Sequence, residues 1–151
     1  METAKDWGTH VRAELRRTGA RMGGAREAVI AHLEERECCL SAQELFDALR
    51  REGRKVGIAS VYRALDQLAE LGLVHRVELG GGVTRFEPAL PNGEHHHHLV
   101  CDDCGRIEMF DDATLERSLT RVADSRGYEL AQHDVVLHGA CADCKPAGAT
   151  A

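Results

Sequence analysis

Apolar residues recur at helical spacing through the first third of the chain. Val29 and Leu33 lie four residues apart and predict a helix over residues 25–35 with one face turned inward. Further on, Ser41 and Glu44 stand three residues apart, just before another apolar run. In this arrangement the serine hydroxyl and the glutamate carboxylate each satisfy a backbone N–H that the start of a helix leaves free. We therefore expect a second helix to follow this pair, to end at Gly53 and to bury Leu45, Phe46 and Leu49.

A third helical stripe occupies residues 57–68. Val61, Leu65 and Leu68 fall at positions i, i+4 and i+7, so they form one buried face. This pattern fits the second helix of a helix-turn-helix, whose first turns face the major groove of DNA. Many small helical domains share the periodicity, so the pattern alone leaves DNA binding open. The first turns carry three residues on other faces: Ser60, Tyr62 and Arg63.

Two β-like runs follow, at residues 74–79 and 83–87, and a run of three glycines joins them. Such a pair of runs is typical of a β-hairpin. Three helices followed by a hairpin predict a winged helix-turn-helix domain over residues 1–87. Residues 88–93 hold two prolines, an asparagine and a glycine, which predict a hinge between two domains.

The second half of the chain is predicted to form two strands, a helix and a third strand. The first strand carries histidines and cysteines, and residues 106–110 form the next one after a turn at Gly105. Asp112 can cap the helix that follows. The alternation over residues 128–138 predicts the last strand. We therefore expect an α/β domain over residues 94–151, with a helix that turns Leu115, Leu119 and Val122 inward.

The composition is that of a soluble globular protein, with 29% charged and 43% hydrophobic residues. Aromatic residues make up only 4%, which disfavours nucleic-acid recognition by base stacking. The sequence holds neither an apolar run long enough to cross a membrane nor a signal peptide, so we expect a cytoplasmic protein. Thiols stay reduced there, and paired cysteines hold metal more often than they form disulfides.

Charge is unevenly distributed along a chain whose net charge is -6. Residues 1–86 carry a net charge of +1 and residues 87–151 one of -7. Only local basic patches can therefore meet phosphates. One such patch is either a solvated helix face or an arm that follows a phosphate backbone, and it consists of Arg12, Arg16, Arg17 and Arg21.

Four cysteines form two Cys-x-x-Cys pairs on either side of residues 105–140. Four thiolates suit a closed tetrahedral Zn²⁺ site, which is structural because no coordination position is left open for catalysis. A strand–helix–strand insert is able to bring the two pairs together across this interval. The alternative is a pair of redox-active dithiols. The four residues are Cys101, Cys104, Cys141 and Cys144.

Four consecutive imidazoles, at residues 95–98, lead into the first cysteine pair. Successive side chains of a strand point to opposite faces, so His95 and His97 would face one way and His96 and His98 the other. An expression tag or a solvated polar loop are the alternatives for this run. The candidates to complete a metal site are Glu116 and His133 on the first face, and Glu87, Cys39 and His75 on the second. Read alone, Glu116 is a surface carboxylate and Cys39 a small buried hydrophobe.

Together these motifs resemble the ferric uptake regulator superfamily of bacterial metal-sensing repressors, over about residues 12–145. The resemblance rests on residues 41–45, 57–63, 85–87, 95–105 and 141–144. It implies an N-terminal winged helix and a C-terminal α/β dimerisation domain. It also implies a homodimer that binds a palindromic operator in double-stranded DNA and represses metal-uptake genes while its sensing metal is bound.

The resemblance also implies roles for individual residues. The four cysteines match the structural zinc site. The dimerisation-domain metal site is matched by His95, His97, Glu116 and His133, and the inter-domain sensing site by His96, His98 and Glu87. Cys39 falls where iron-sensing members often have histidine, and His75 where some zinc-sensing members have an acidic ligand. The DNA-contacting set comprises Tyr62 and Arg63, with Ser60, Arg26 and Arg17 as further candidates.

Three features bear on which metal is sensed, and they do not all favour the same ion. The run at residues 95–101 is most similar to zinc uptake regulators, and a Cys39 thiolate favours Zn²⁺ over Fe²⁺. Phe86-Glu87 is more similar to iron-sensing members. We therefore expect zinc, with Fe²⁺, another metal or peroxide as alternatives. Of the other classes, a zinc deaminase would need a Pro-Cys-x-x-Cys signature, whereas residue 100 before Cys101 is valine, and a metal-storage module would not bind DNA.

Overall fold

The computed structural model of the chain describes residues 4–36 and 38–146, and it divides into two compact units between Glu94 and His95. The outermost ends of the predicted domains, residues 1–3 and 147–151, lie outside the described residues. Within the described residues, the first unit holds four helices and three strands: α1 (Ala4–Arg17), α2 (Gly24–Leu33), β1 (Leu40–Ser41), α3 (Ala42–Arg51), α4 (Ile58–Glu70), β2 (Val74–Glu78) and β3 (Thr84–Pro88).

The apolar stripes that the sequence predicts for α2, α3 and α4 form the core of this unit. Val29, Leu33, Leu45, Leu49, Val61, Leu65 and Leu68 are all buried. Phe46 is only partly buried, although it still packs against the core. The mixed helical and small-sheet fold agrees with the prediction.

Helix α1 completes this core, which the sequence analysis did not predict. Trp7, Val11 and Leu15 are fully buried on its inner face. The indole Nε1–H of Trp7 donates a hydrogen bond to the backbone carbonyl of Leu73, at 2.7 Å. Arg12, expected either on a solvated face or on an arm, instead pairs with Glu27 and Glu34 at 2.6 and 2.8 Å. Helix α1 is thus joined to α2 by ion pairs as well as by apolar packing.

The predicted capping box at the start of α3 is present. The amide of Glu44 donates to the hydroxyl of Ser41 at 3.1 Å, and the amide of Ser41 donates to the carboxylate of Glu44 at 2.8 Å. Arg85 of β3 then donates to the same carboxylate at 2.7 Å. Arg85 therefore joins the N-terminal cap of α3 to strand β3.

Strands β1, β3 and β2 form an antiparallel sheet in that order. The turn between β2 and β3 contains Gly80, Gly81 and Gly82, whose φ angles of 96°, 72° and 69° lie where a side chain is unfavourable. Leu40 pairs with Phe86, and His75 pairs with Glu87. The four helices and this hairpin form a winged helix.

The second unit contains β4 (His97–Cys101), β5 (Ile107–Phe110), α5 (Ala113–Ser125) and β6 (Val136–Gly139). Its sheet has the order β5-β4-β6, with β4 antiparallel to β5 and parallel to β6. The carboxylate of Asp112 caps α5 by accepting from the amides of Thr114 and Leu115, each at 2.8 Å.

The last predicted strand is shorter in the structure than the alternation over residues 128–138 suggested. Strand β6 covers only Val136–Gly139, which pair with residues 98–101 of β4, and this pairing begins where the amide of His98 donates to the carbonyl of Val135 at 3.1 Å. Helix α5 also differs from expectation, since none of its residues is buried and Val122 is 58% exposed. Within the described residues, no helix is both long and apolar enough to span a membrane.

Candidate metal centres and nucleic-acid interface

The parallel pairing of β4 with β6 brings the two cysteine pairs together. Cys101 is the last residue of β4 and lies opposite Gly139 of β6, two residues before Cys141. Both pairs therefore extend from the same edge of the sheet. Sulfur atoms of Cys101, Cys104, Cys141 and Cys144 all lie within 4.8 Å of one another.

The thiols of this cluster differ in acidity because their surroundings differ. Backbone amides, led by that of Cys141 at 3.3 Å, lower the pKa of Cys101 to about 6. The neighbouring thiols, Cys141 first and then Cys104, raise the pKa of Cys144 to about 12. Four converging sulfurs without a cation repel one another once ionised, and a central Zn²⁺ removes that repulsion. The donor set fits a closed tetrahedral zinc site.

Two contacts that the sequence analysis missed hold the cysteine turns in place. Arg106 donates to the carboxylate of Asp143 at 2.6 Å, and thereby links the start of β5 to the second Cys-x-x-Cys turn. Nδ1 of His138 lies 2.9 Å from Oδ1 of Asp102 and links β6 to the first turn. Each contact joins groups 36 or 37 residues apart, so no local sequence pattern could have predicted it.

A second cluster joins three imidazoles to one carboxylate. Nε2 of His97 lies 2.6 Å from Oε1 of Glu116, and Nε2 of His133 lies 3.1 Å from Oε2 of the same carboxylate. Nε2 of His95 is 3.5 Å from Glu116 and 3.1 Å from Nε2 of His133. The four donors come from the segment at and before β4, from α5 and from the loop before β6, and they converge within 4.8 Å.

Hydrogen bonds among these four side chains cannot satisfy all of the facing nitrogen atoms. Only one of the facing Nε2 atoms of His95 and His133 can carry the proton between them, and both also face the carboxylate of Glu116. Hydrogen bonding to His97 is the main reason that the pKa of Glu116 lies below its usual value, with burial opposing this and His133 adding to it. Three nitrogens and one oxygen aimed at a common point fit Zn²⁺ or another borderline cation.

The alternation predicted for the histidine run is visible in the ring positions. The centroids of His95 and His97 lie 5.2 Å apart, and those of His96 and His98 lie 5.1 Å apart. His97 and His98 are neighbours in β4, and both are buried. His97 and His98 are therefore not part of a solvated loop, whereas His95 and His96 precede β4 and His95 is exposed.

The other predicted sensing residues lie on the sheet of the first unit. Continuing the β1–β3 register by one residue puts Cys39 opposite Glu87, and His75 pairs with Glu87 from the other side. Because paired residues of a sheet share a face, the three lie in a row. The thiol of Cys38, burial and the charge of Glu87 all raise the pKa of Cys39. His96 and His98, which complete the predicted set, belong to the second unit.

The residues predicted to contact DNA divide into two groups. Tyr62 is 48% exposed on α4, and exposed Arg63 donates to the hydroxyl of Ser60 at 3.0 Å. The first turn of α4 has no acidic residue, so no carboxylate there offsets the positive end of the helix dipole. In the second group, Arg26 is engaged by the carbonyl of Arg21 and the side chain of Gln67, and Arg17 pairs with Glu14 at 2.8 Å.

Comparison with known proteins agrees with this architecture. The profile of the ferric uptake regulator family matches residues 17–138. The ferric uptake regulation protein of Legionella pneumophila is 38% identical over 133 residues, which cover 87% of this chain and 96% of the relative.

Two solved structures are similar in both fold and sequence. The Vibrio cholerae ferric uptake regulator has a TM-score of 0.77 at 34% identity, covering 85% of this chain and 98% of its own. The Helicobacter pylori ferric uptake regulator, described as having three functional metal binding sites, has a TM-score of 0.81 at 27% identity and covers 97% of both chains.

Proposed function

Since this chain belongs to the ferric uptake regulator family of DNA-binding, metal-responsive transcription regulators, we propose that the metal it senses is zinc. In this proposal a zinc-loaded homodimer binds a palindromic operator and represses metal-uptake genes in the cytoplasm. Loss of zinc releases the operator. Family members are regulators and not enzymes, and a closed four-thiolate site supports no hydrolytic role.

The observation that carries the choice of zinc is the position of Cys39. This thiol is 2% exposed and lies opposite the buried carboxylate of Glu87. A thiolate donor favours Zn²⁺ over Fe²⁺, because borderline-soft ions bind sulfur more strongly than hard ones do. We propose that Cys39, Glu87, His96 and His98 form the sensing set, with His75 as the alternative to Cys39.

The other two clusters have separate roles in this proposal. The four cysteines hold a zinc ion that stabilises the second unit, and metal affinity there is part of the folding free energy. The cluster of His95, His97, Glu116 and His133 holds a further ion in the dimerisation unit. The relative from Helicobacter pylori, with its three functional metal binding sites, supports this count.

DNA and partner recognition follow from exposed surfaces. We propose that the first turns of α4 enter the major groove, where Tyr62 and Arg63 contact DNA and Ser60 orients Arg63. The apolar face of α5, with Leu115 and Leu119 half-buried and Val122 exposed, supports a dimer interface. A dimer would set two recognition helices at the spacing of a palindrome.

Sensing requires that the metal bind one arrangement of the chain more tightly than another. An ion whose ligands come from both units binds only when those ligands meet, so it shifts the population towards that arrangement. Coupling of this kind is typically about 1–3 kcal/mol, or roughly 5–150-fold in operator affinity. The winged helices would then be held at the separation that the operator requires.

Iron sensing is the second candidate function. The curated relatives are named ferric uptake regulation proteins, and the Phe86-Glu87 pair is similar to iron-sensing members. Carboxylate and imidazole donors bind Fe²⁺ adequately. The two candidates differ in whether the Cys39 thiolate belongs to the sensing set.

The test measures operator binding against free metal concentration. A duplex selected from a random library by the zinc-loaded protein is labelled, and its anisotropy is followed in buffered Zn²⁺ and, anaerobically, in buffered Fe²⁺. We expect zinc to raise affinity at least fivefold in the wild type but not in the His96→Ala, His98→Ala double variant. His10→Ala, a partly buried change on α1 that lies outside the three candidate metal clusters, serves as the matched control. Equal response of the double variant to zinc, or a response to iron alone, would overturn zinc sensing at this site.

A further inference from the structure

Two adjacent cysteines, Cys38 and Cys39, lie just before β1. Their sulfur atoms are 3.9 Å apart, and neither cysteine forms a disulfide. Cys39 is buried and Cys38 is partly exposed. The resemblance to the family gives a role only to Cys39, so Cys38 has none.

The separation of the two sulfurs matches a shared metal ion better than a disulfide. A zinc–sulfur bond of about 2.3 Å at a tetrahedral angle places two thiolates about 3.8 Å apart. Cys104 and Cys141 in the four-cysteine cluster show this same spacing, at 3.8 Å. A disulfide needs a sulfur separation of about 2.05 Å and usually a Cα separation of 4.4–6.8 Å. Adjacent Cα atoms are only about 3.8 Å apart across a trans peptide, so that bond would be strained.

The surroundings of the pair favour a cation. Cys39 lies opposite Glu87 in the continued register of β1 and β3, and its thiol lies within 4.8 Å of that carboxylate. Cys38 adds a second sulfur 3.9 Å from that of Cys39, and a soft or borderline dication neutralises a mixed donor set of this negative charge. Hard ions such as Mg²⁺ or Mn²⁺ gain little from sulfur.

We propose that Cys38 and Cys39 form a two-thiolate clip for a thiophilic d¹⁰ dication, Zn²⁺ or Cd²⁺, within the first unit. The clip deepens the proposed function and rests on it in one respect, namely that Cys39 belongs to the sensing set. With Cys38 as a second sulfur donor, the sensing residues bind zinc in preference to iron. Cys38 is then the residue that determines metal selectivity.

The experiment counts thiolates in the full chain with Cd²⁺ as the probe. Each cadmium–thiolate bond adds ultraviolet charge-transfer absorbance and moves the ¹¹³Cd resonance downfield. The four-cysteine cluster supplies an internal reference for four thiolates. In wild type we expect a second cadmium with two thiolates. In Cys38→Ser we expect one thiolate there, at least tenfold weaker Zn²⁺ binding, and less than threefold change in Fe²⁺ binding.

A control variant and a second measurement on the same samples test the two-thiolate clip separately from the proposed function. Val83→Ser, an exposed change in the same unit, controls for serine substitution, and the wild-type ¹¹³Cd spectrum needs no variant. An unchanged second site in Cys38→Ser, or no thiolate-bound cadmium beyond the four-cysteine cluster, would refute the clip. Zinc-dependent operator binding, measured on the same samples, reports separately on the proposed function. If it persists while the thiolate count refutes the clip, only the clip fails.

Discussion

Nε2 of His97 lies 2.6 Å from Oε1 of Glu116, which joins a fully buried imidazole on β4 to a half-exposed carboxylate on α5. The pair links the sheet of the second unit to helix α5. It also forms half of the histidine–glutamate cluster. A change at either residue should therefore affect metal binding and the packing of α5 together.

Glu116→Gln should weaken metal binding at this cluster. The amide keeps the shape of the carboxylate but removes the anionic oxygen that faces three imidazole nitrogens. We expect Zn²⁺ affinity at this site to fall at least tenfold, as measured by competition with a chromogenic chelator. Glu129→Gln, an exposed change in the same unit, is the control and should leave the affinity unchanged. Equal zinc affinity in both variants would remove Glu116 from the ligand set.

Cys101→Ser should remove about one tightly held zinc per chain and unfold the second unit. Its sulfur accepts a hydrogen bond from the amide of Cys141, and backbone amides lower the pKa of this thiol to about 6. Structural zinc contributes on the order of 10 kcal/mol to folding in small domains, more than a unit of this size can lose. Metal analysis and sedimentation velocity measure zinc content and the dimer. A zinc-free variant that stays dimeric would support the redox alternative.

Arg63→Ala should weaken operator binding by about 1–3 kcal/mol, the usual effect of losing an arginine that contacts a base. The side chain is exposed on α4 and held by Ser60. Binding is measured by anisotropy at several salt concentrations. Arg126→Ala, an exposed arginine after α5, is the charge-matched control. If both variants lose affinity equally, the effect is one of net charge and not of contact.

Trp7→Phe should destabilise the first unit by about 0.5–1.5 kcal/mol. The change removes one of the two hydrogen bonds that the carbonyl of Leu73 accepts, the other coming from the amide of Ala89 at 3.1 Å, and a single hydrogen bond contributes about this much. Urea unfolding followed by circular dichroism measures the difference. Met22→Leu, a partly exposed apolar change, should have little effect. A Trp7→Phe variant as stable as wild type would mean that water replaces the indole.

Glu44→Gln should destabilise the first unit near neutral pH by about 1 kcal/mol, the scale of a capping interaction. Burial alone would raise the pKa of Glu44, but the amide of Ser41 and the guanidinium of Arg85 outweigh it and lower that pKa. A carboxylate with a lowered pKa in the folded state stabilises the fold above its unfolded pKa, and this contribution is lost as the pH falls through the folded value.

The difference between wild type and Glu44→Gln should therefore shrink between about pH 5 and pH 3, as the carboxylate becomes protonated. Urea unfolding across this range measures it, with Glu70→Gln, an exposed change on α4, as the control. A difference that stays constant with pH would show that the carboxylate charge does not contribute.

Local patterns predicted the parts of the fold that depend on neighbours in sequence. The capping box of Ser41 and Glu44 and the buried stripe of α4 involve residues a few positions apart, so spacing alone was sufficient. The histidine alternation was equally accessible, because it follows from strand geometry. Contacts between distant residues were not, and the ion pair of Arg12 with Glu34 is an example.

The errors have physical causes too. Residues 128–135 alternate like a strand, yet a strand needs a partner, and the pairing with β4 begins only at the end of this segment, where the amide of His98 donates to the carbonyl of Val135. The parallel pairing of β4 with β6 could not be predicted from periodicity, although it is what brings Cys101 beside Cys141. Membership of the metal clusters was suggested by residue type, but convergence of the donors depends on that pairing.

The divergence of adjacent imidazoles also constrains how this sequence can change over evolution. Substituting one histidine alters one cluster and leaves the other as it was. Inserting or deleting a single residue within positions 95–98 would exchange the two faces, so both donor sets would be lost at once. We therefore expect lineages to keep the length of this run fixed, and to change metal preference only by exchanging one donor at a time.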